Sequence, residues 1–484
     1  MIKQILFIAL LTHSITSFAV DRQQHLSGGD TTVNRHHASA YSAHSANIKS
    51  VQNILRFNGG NKFFEEPWAE SVGSVSSQDG LGPLFNNNAC QNCHVRDGRG
   101  HSSEALNNQQ GSDFSTMLLR ASKSELSDTQ KTAISLGLQA NVGDSCIGGQ
   151  LQHKAIFGIK KEASQAVSYR YLYVSFSDGE KVQLREPIWH VKGISCEIDD
   201  DTVLSARVAP PMIGLGLLAL IDEQDILQQE DINDENNDGI SGKANKVWSI
   251  ATQSVTLGRF GWKAGQPTLR QQTAGAFLGD MGLTTDFFPT ENCLAHQLDC
   301  KASPSGNSDG VNYEVSSVIL DKVTFYAHHL AVPARRNAYS RQVLNGQKIF
   351  NDLGCQQCHT QSYTTGKSET FPELSNQKIY PYTDMLLHDM GTSLTDFDKY
   401  SNTVNGDIPV EFLALAKEWR TPPLWGIGLA QTVDPNATFL HDGRARTLLE
   451  AVLWHAGEAL PSQQKVLTLS KKQRIELLAF LADL

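Results

Sequence analysis

The sequence predicts a mainly α-helical protein carrying one small β insertion. Three observations predict it. The run Cys90-Gln-Asn-Cys93-His94 recurs as Cys355-Gln-Gln-Cys358-His359, and each ends a similar amphipathic segment. The chain finishes in Lys471 to Leu484, whose apolar residues fall at helical spacing. One stretch, residues 165–195, carries β-favouring residues around a turn and reads as an inserted hairpin.

Composition bounds the rest. The chain has 484 residues, 40% hydrophobic and 19% charged, the balance of a folded protein with length for two to four domains. Lys plus Arg number 41 and Asp plus Glu 51, a formal charge of -10. That acidity argues against nucleic acid, which needs a basic footprint. No apolar run reaches the roughly 18 residues of a spanning helix, so no membrane span is expected.

Taken in order, residues 1–19 read as a signal peptide. Lys3 supplies the positive charge, Ile5 to Leu11 the apolar stretch, and Ser17-Phe18-Ala19 the small residues before a cleavage point at Val20. Export to the oxidising periplasm is the expectation. Residues 20–60 are polar, rich in His and Ser, and read as a flexible N-terminal arm ending at Gly59-Gly60. Residues 61–335 form an N-terminal unit holding the first run and the hairpin, with Tyr169 to Phe176 and Val182 to Leu184 as strands and Ser177-Asp178-Gly179 as turn. In it, Pro210-Pro211 opens the apolar run Met212 to Ile221. Residues 336–484 form a C-terminal unit, set off by Pro333 and opening with a helix from Arg341 to Phe350.

The repeated C-x-x-C-H run is the attachment signature of c-type haem. Two thiols add across the two vinyl groups of one porphyrin, and the adjacent imidazole, His94 or His359, supplies the iron's proximal nitrogen. A thioredoxin-like redox pair would need a βαβ context. A zinc site would need four ligands kept reduced in an exported protein. Plain disulfides would leave the repeated His unexplained. The flanks match too: Phe85 and Phe350 precede their first Cys by five residues, Asn86 and Asn351 by four. Two haem c groups are therefore expected. Cys146, Cys196, Cys293 and Cys300 remain as disulfide candidates, with three connectivities open. Cys293 and Cys300 can close a short loop, which would leave Cys146 with Cys196.

An oxygen-rich loop follows the apolar run. Asp234, Asn236, Asp238 and the Ile240 carbonyl alternate as candidate ligands, with Gly239 in the sixth position, as a calcium loop begins. The twelfth position is Asn245 and not a bidentate Glu, so a solvated Asx-rich turn is the competing reading.

Further segments carry a resemblance. They are Asp79-Gly-Leu-Gly-Pro-Leu-Phe85, Gly148-Gly-Gln-Leu-Gln152, Ala209-Pro-Pro-Met-Ile-Gly-Leu-Gly216, Gly258-Arg-Phe-Gly-Trp262-Lys, Gln272 to Gly282, Leu387-His-Asp-Met-Gly391, Thr421-Pro-Pro-Leu-Trp-Gly426 and Leu440-His-Asp-Gly-Arg-Ala-Arg446. Over most of residues 65–484 the chain resembles the bacterial di-haem oxidoreductase (putative peroxidase) family, sometimes labelled thiol oxidoreductase. That family is similar to di-haem cytochrome c peroxidases and to the di-haem enzyme that matures methylamine dehydrogenase. The resemblance implies two cytochrome-c-like haem domains facing each other, often with calcium between them. It implies that one haem meets peroxide while the other passes electrons. It places His455 where the second iron takes its sixth ligand, a position held by Met or Tyr in those relatives. At the first iron it leaves His101, Met212 or an open position, with Met212 equally readable as core. Gln150 and Gln152 are candidates for the catalytic distal face. The expected acid after the Gly-Leu-Gly run is missing, the nearest being Asp222 and Glu223.

Two functions follow as expectations. One is a peroxidase-like oxidoreductase taking a small-molecule oxidant such as peroxide at the first haem and electrons from a redox partner protein through the second, with Trp454 assisting transfer. The acidic surface favours a basic cytochrome or a small molecule as donor. The other is a non-catalytic di-haem electron carrier or redox sensor with both irons six-coordinate.

Overall fold

The computed structural model describes residues 23–71, 73, 78–102, 116–307, 312–398 and 404–484. The signal-peptide segment 1–19 lies outside the described residues.

The mainly helical expectation does not hold. Helix makes up 30% and strand 19% of the described residues. Among the described residues there are seven small sheets, six of them two-stranded, and most of the helices are short. The expectation of two cytochrome-c-like helical domains is overturned with it. The reason is that two helix-rich patterns at the runs were extended to the intervening chain, whose Gly, Pro and Asx residues instead break it into short strands and turns.

Two helix pairs organise the molecule. Val51–Glu65 packs on Ser317–His329, and Arg341–Asp352 packs on Lys471–Asp483. Ser50, Ser316, Ser340 and Ser470 cap their N-termini by accepting a backbone N–H from the third helical residue. The first pair buries Phe57, Phe64, Phe325 and Tyr326 around the first run, and the second buries Phe350, Leu477 and Phe480 around the other. In the second pair the helices touch at Gly346, where a Cβ would lie 2.0 Å from the Glu476 carbonyl oxygen.

Between the pairs lie the sheets. Thr202–Val208, buried at every position, is the central strand between Met117–Lys123 and Phe397–Asp398, both antiparallel to it. The hairpin of residues 165–195 occurs as Ser164–Ser175 paired with Lys181–Lys192, with Leu172 opposite Leu184. Its strands run further from the turn than the sequence suggests, over 164–168 and 185–192, where Gln165, Ala166, Val167, Arg185 and Pro187 are buried. The disulfides are Cys146–Cys196 and Cys293–Cys300.

The segment read as a flexible arm is packed instead. Ala40, Tyr41, Ala43 and Ile48 are buried, Ser45 N donates to His329 O at 2.8 Å, and residues 51–60 are helical. Its polar composition hid the few apolar residues that dock it. The stretch around Pro333, read as the divide between units, is also core: Val332 is buried beside Tyr41 and Trp425, and Arg335 Nε pairs with buried Asp483 at 2.9 Å. No helix among the described residues is long and apolar enough to cross a membrane.

Candidate functional site

The helix Arg341–Asp352 delivers the second run. Gly354, at φ +90°, ends it and turns the chain into the 3-10 turn Cys355–Gln357. His359 follows half-buried, with Nδ1 2.9 Å from the Tyr382 carbonyl oxygen. A carbonyl only accepts, so Nδ1 carries the proton and Nε2 is bare. Burial lowers the His359 pKa to about 4, keeping the ring neutral. His455 stands just past the helix Leu448–Leu453, its Nδ1 held 2.8 Å from Ala451 O, and burial lowers its pKa too. Both imidazoles, with Cys355 and Cys358, line one cavity of about 1410 Å³ including the solvent at its mouth.

A charged cluster flanks that cavity. His388 Nε2 lies 2.7 Å from Asp384 Oδ2 and His388 Nδ1 lies 2.6 Å from Glu458 Oε2, all three buried or nearly so. Burial opposes protonation, but the Asp384 carboxylate and the neighbouring Cys358 raise the His388 pKa well above the ordinary value. The oxygen-rich loop reaches the same place: Gln357 Nε2 donates to Asp238 Oδ2 at 2.9 Å and Ser241 Oγ to Glu458 Oε1 at 2.9 Å. Within the loop, Asp234, Asn236 and Asp238 accept from backbone N–H groups. Asn245 is spent elsewhere, Nδ2 donating to Lys263 O and Glu411 O and Oδ1 accepting from Leu413 N at 3.0 Å.

The first run is held differently. No helix delivers it; the two-residue strand Leu84–Phe85 pairs with Lys154–Ala155, and Asn86 N and Asn87 N donate to Asp280 O. The expectation of matching delivery helices fails here, because Pro83 and Gly82 interrupt the segment. His94 Nδ1 lies 2.8 Å from Pro210 O, which again leaves Nε2 bare, and burial lowers its pKa to about 4. Phe64 packs on the His94 ring with centroids 6.0 Å apart. Met212 is half-buried in the apolar cluster that holds Cys90, and its N–H is tied to Asp97 O. His101 is anchored through its main chain to Thr116.

Asp280 is the residue that sequence reading missed. It sits at the end of the helix Leu269–Met281, close enough for its charge to raise both Cys90 and Cys93. Burial raises its own pKa, against the nearby Arg120 charge and a hydrogen bond from Gln150 Nε2 at 2.9 Å. The signal was present in the segment Gln272 to Gly282, but the acid was sought after Gly216. Asp222 instead caps a short helix through Gln224 N. Gln150 and Gln152, expected over the first iron, line a separate cavity that none of Cys90, Cys93 and His94 lines. Trp454 is buried under Arg444, 4.8 Å from guanidinium carbon to ring centroid. Other aromatic groups line the second cavity: Trp419 stacks on His441 at 3.5 Å, His441 meets Trp262 edge-on at 6.5 Å, and Arg99, five residues past His94, lies over Trp262.

These residues fit haem. The four thiols of the two runs are free while the other four Cys are paired. Burial pushes Cys90, Cys93 and Cys355 up to about 12, which disfavours the thiolate that a zinc site or a redox dithiol requires. His94, His359 and His455 each give one nitrogen to a carbonyl, the arrangement that orients a metal-ligating imidazole and leaves the other nitrogen bare.

Comparison with known proteins gives one family match, to "di-haem oxidoreductase, putative peroxidase", over residues 22–484. No curated protein matches the chain. Among solved structures it is similar to hydrazine synthase of Kuenenia stuttgartiensis pressurised with xenon, at 19% identity and a TM-score of 0.29, over 58% of this chain and 73% of that one.

Proposed function

The chain belongs to the di-haem oxidoreductase family, and we propose that it is an exported c-type enzyme of peroxidase kind. Haem c would be fastened at Cys90 and Cys93 with His94 on the iron, and at Cys355 and Cys358 with His359 and His455 on the iron. The carrying observation is the bare, neutral Nε2 on each of these three imidazoles, with His359 and His455 sharing one cavity. Bound haem supplies one-electron chemistry at its iron.

The chain's own groups do the rest. His455 would hold the same iron as His359, and two imidazoles there would favour an electron-transfer role. At the other end Asp280, with its pKa raised by burial, holds and returns a proton near the first run, as peroxide reduction to water requires. Trp262 and His441 offer an aromatic path between the ends. The partners would be a small-molecule oxidant such as peroxide and a redox partner protein. Calcium would sit on Asp234, Asn236, Asp238 and Ile240 O, stiffening the second run through Asp238 and Gln357.

Denatured protein should keep a haem-stained band and a mass increased by two haems. The ferric spectrum should show one low-spin and one high-spin haem, the latter changing with peroxide. Two low-spin haems inert to peroxide would make it an electron carrier or sensor instead, and a bare-chain mass would remove the reading altogether.

A further inference from the structure

The helix Ser317–His329 buries a phenol that faces a carboxyl group. Tyr326 is 0% exposed, and its Oη donates to Asp97 Oδ1 at 2.6 Å. Asp97 is 0% exposed as well and stands three residues past His94. Tyr41 and Tyr363, also buried, donate instead to the carbonyl oxygens of Gly426 and Thr383, which take no proton. Tyr326 differs from them in having a base on its hydroxyl.

That base is placed at a cost in backbone strain. Arg96 and Asp97 lie at φ +52° and +63°, two successive residues with side chains in the left-handed region. Such conformations persist only where the surroundings hold them. Here Asp97 N donates to His94 O at 2.8 Å, Met212 N to Asp97 O at 2.9 Å, and Arg96 Nη1 to Val433 O at 2.8 Å. Among the described residues no cation pairs with the Asp97 carboxyl. Hydrogen bonds from Tyr326 and Ser42 stabilise its charge, and Glu65 adds a charge of the same sign. A buried carboxylate so placed readily takes a proton.

The phenol also stands beside the first run. Phe64 packs on both Tyr326 and His94, with ring centroids 5.3 Å and 6.0 Å away. Cys90 belongs to the same buried cluster, and its charge is felt at Tyr326. Burial and the charges of Asp97, Glu65 and Cys90 hold the proton firmly on the phenol. It leaves only when an electron leaves too, because an oxidised phenol is a strong acid and a buried positive charge is costly.

Resting on the haem reading above, we propose that Tyr326 is a redox residue of the first haem, giving one electron to its iron during peroxide reduction while its hydroxyl proton passes to Asp97 Oδ1. Cleaving the O–O bond takes two electrons. The iron supplies one and Tyr326 the other, which leaves a neutral tyrosyl radical beside a neutral Asp97. One oxygen leaves as water with both peroxide protons. The other stays on the iron until one electron and two protons convert it to water. A second electron arriving through the second haem restores the phenol, and the proton returns from Asp97 along the same hydrogen bond.

The test mixes the full mature ferric holoprotein with hydrogen peroxide, freezes it during the reaction and reads electron paramagnetic resonance in the free-radical region. Native protein should give a tyrosyl signal that narrows when its tyrosines carry ring deuterium. The signal should decay more slowly in D2O, since the phenol regains its proton with its electron. Tyr326→Phe keeps the ring and loses the hydroxyl, so it should keep two haems and the melting temperature and lack the signal. Asp97→Asn keeps the shape and loses the proton acceptor, and should slow the signal's appearance about 100-fold, as loss of a positioned base does. Two bound haems with no tyrosyl signal in the native protein would overturn the role of Tyr326 and leave the haem reading standing. A signal that survives in Tyr326→Phe, or that appears at the native rate in Asp97→Asn, overturns it too. A denatured chain without haem removes the haem reading and this role together.

Discussion

The two C-x-x-C-H runs share five residues of pattern and little else. The second is delivered by a capped helix and faces a large cavity that His359 and His455 both line. The first is delivered by a two-residue strand and pinned through Asn86 and Asn87 to the end of a distant helix, with the Asp280 carboxyl nearby and buried His153 held to Asn86 at 2.7 Å. One motif therefore sits in two environments, one whose cavity is also lined by a second imidazole and the other beside a buried carboxyl. The lesson is that attachment chemistry is local, whereas the use made of it depends on what tertiary contacts bring to the opposite face.

The largest expected effects break the comparison outright. Cys90→Ala with Cys93→Ala, or Cys355→Ala with Cys358→Ala, should each remove one haem from the denatured protein's mass, because both tethers at that site are gone. His455→Ala should convert the low-spin signal of the second haem to high spin and leave the first unchanged. An unchanged absorption spectrum would remove His455 from the iron.

Asp280→Asn sharpens the difference at the first run. A general acid–base group typically contributes 100-fold or more, so peroxide consumption should fall about 100-fold while haem content stays at two per chain. Unaltered consumption would show that the proton moves by another route.

His388→Gln probes the second run's surroundings. It leaves Asp384 and Glu458 buried without their counter-charge and should cost about 3 kcal/mol in chemical denaturation. The raised His388 pKa adds stability that is fully present below the ordinary histidine value and is lost as pH rises through the elevated folded value. The lowered Glu458 pKa adds stability present above the ordinary glutamate value and lost as pH falls through the depressed one. The gap between native and variant stability should therefore be widest between those ordinary values and shrink toward alkaline pH. The smallest effect belongs to Met212→Leu. If Met212 is core at the first run, the near-infrared spectrum stays as it is and stability changes by under about 1.5 kcal/mol.

Much of this was legible in residue order. The two attachment runs, their imidazoles, the helices before and after the second run, and the hairpin turn at Gly179 depend on contacts within a few residues. His455 entered through resemblance, and the fold places it just past a helix on the wall of the second cavity. The rest was not legible because its partners lie far along the chain. Asp280 meets the first run across some 190 residues of sequence, taking Cys90 and Asp280 as ends. His388 draws one carboxylate from its own turn and the other from Glu458. Tyr41 looks like part of a polar tail until its hydroxyl is seen to donate to Gly426 O.

By itself, the amino-acid order marked the two runs proposed to fasten porphyrin, since two thiols and an imidazole in five residues need no distant help. It could not determine fold class, because short strands gain their stability from partners the local pattern does not reveal. Only the tertiary structure decided which acid stands at the first run and which imidazole shares the second run's cavity. Those facts arise when segments far apart in sequence bury one another's charges and carbonyls, where the cost of an unpaired group is set by the assembled surroundings.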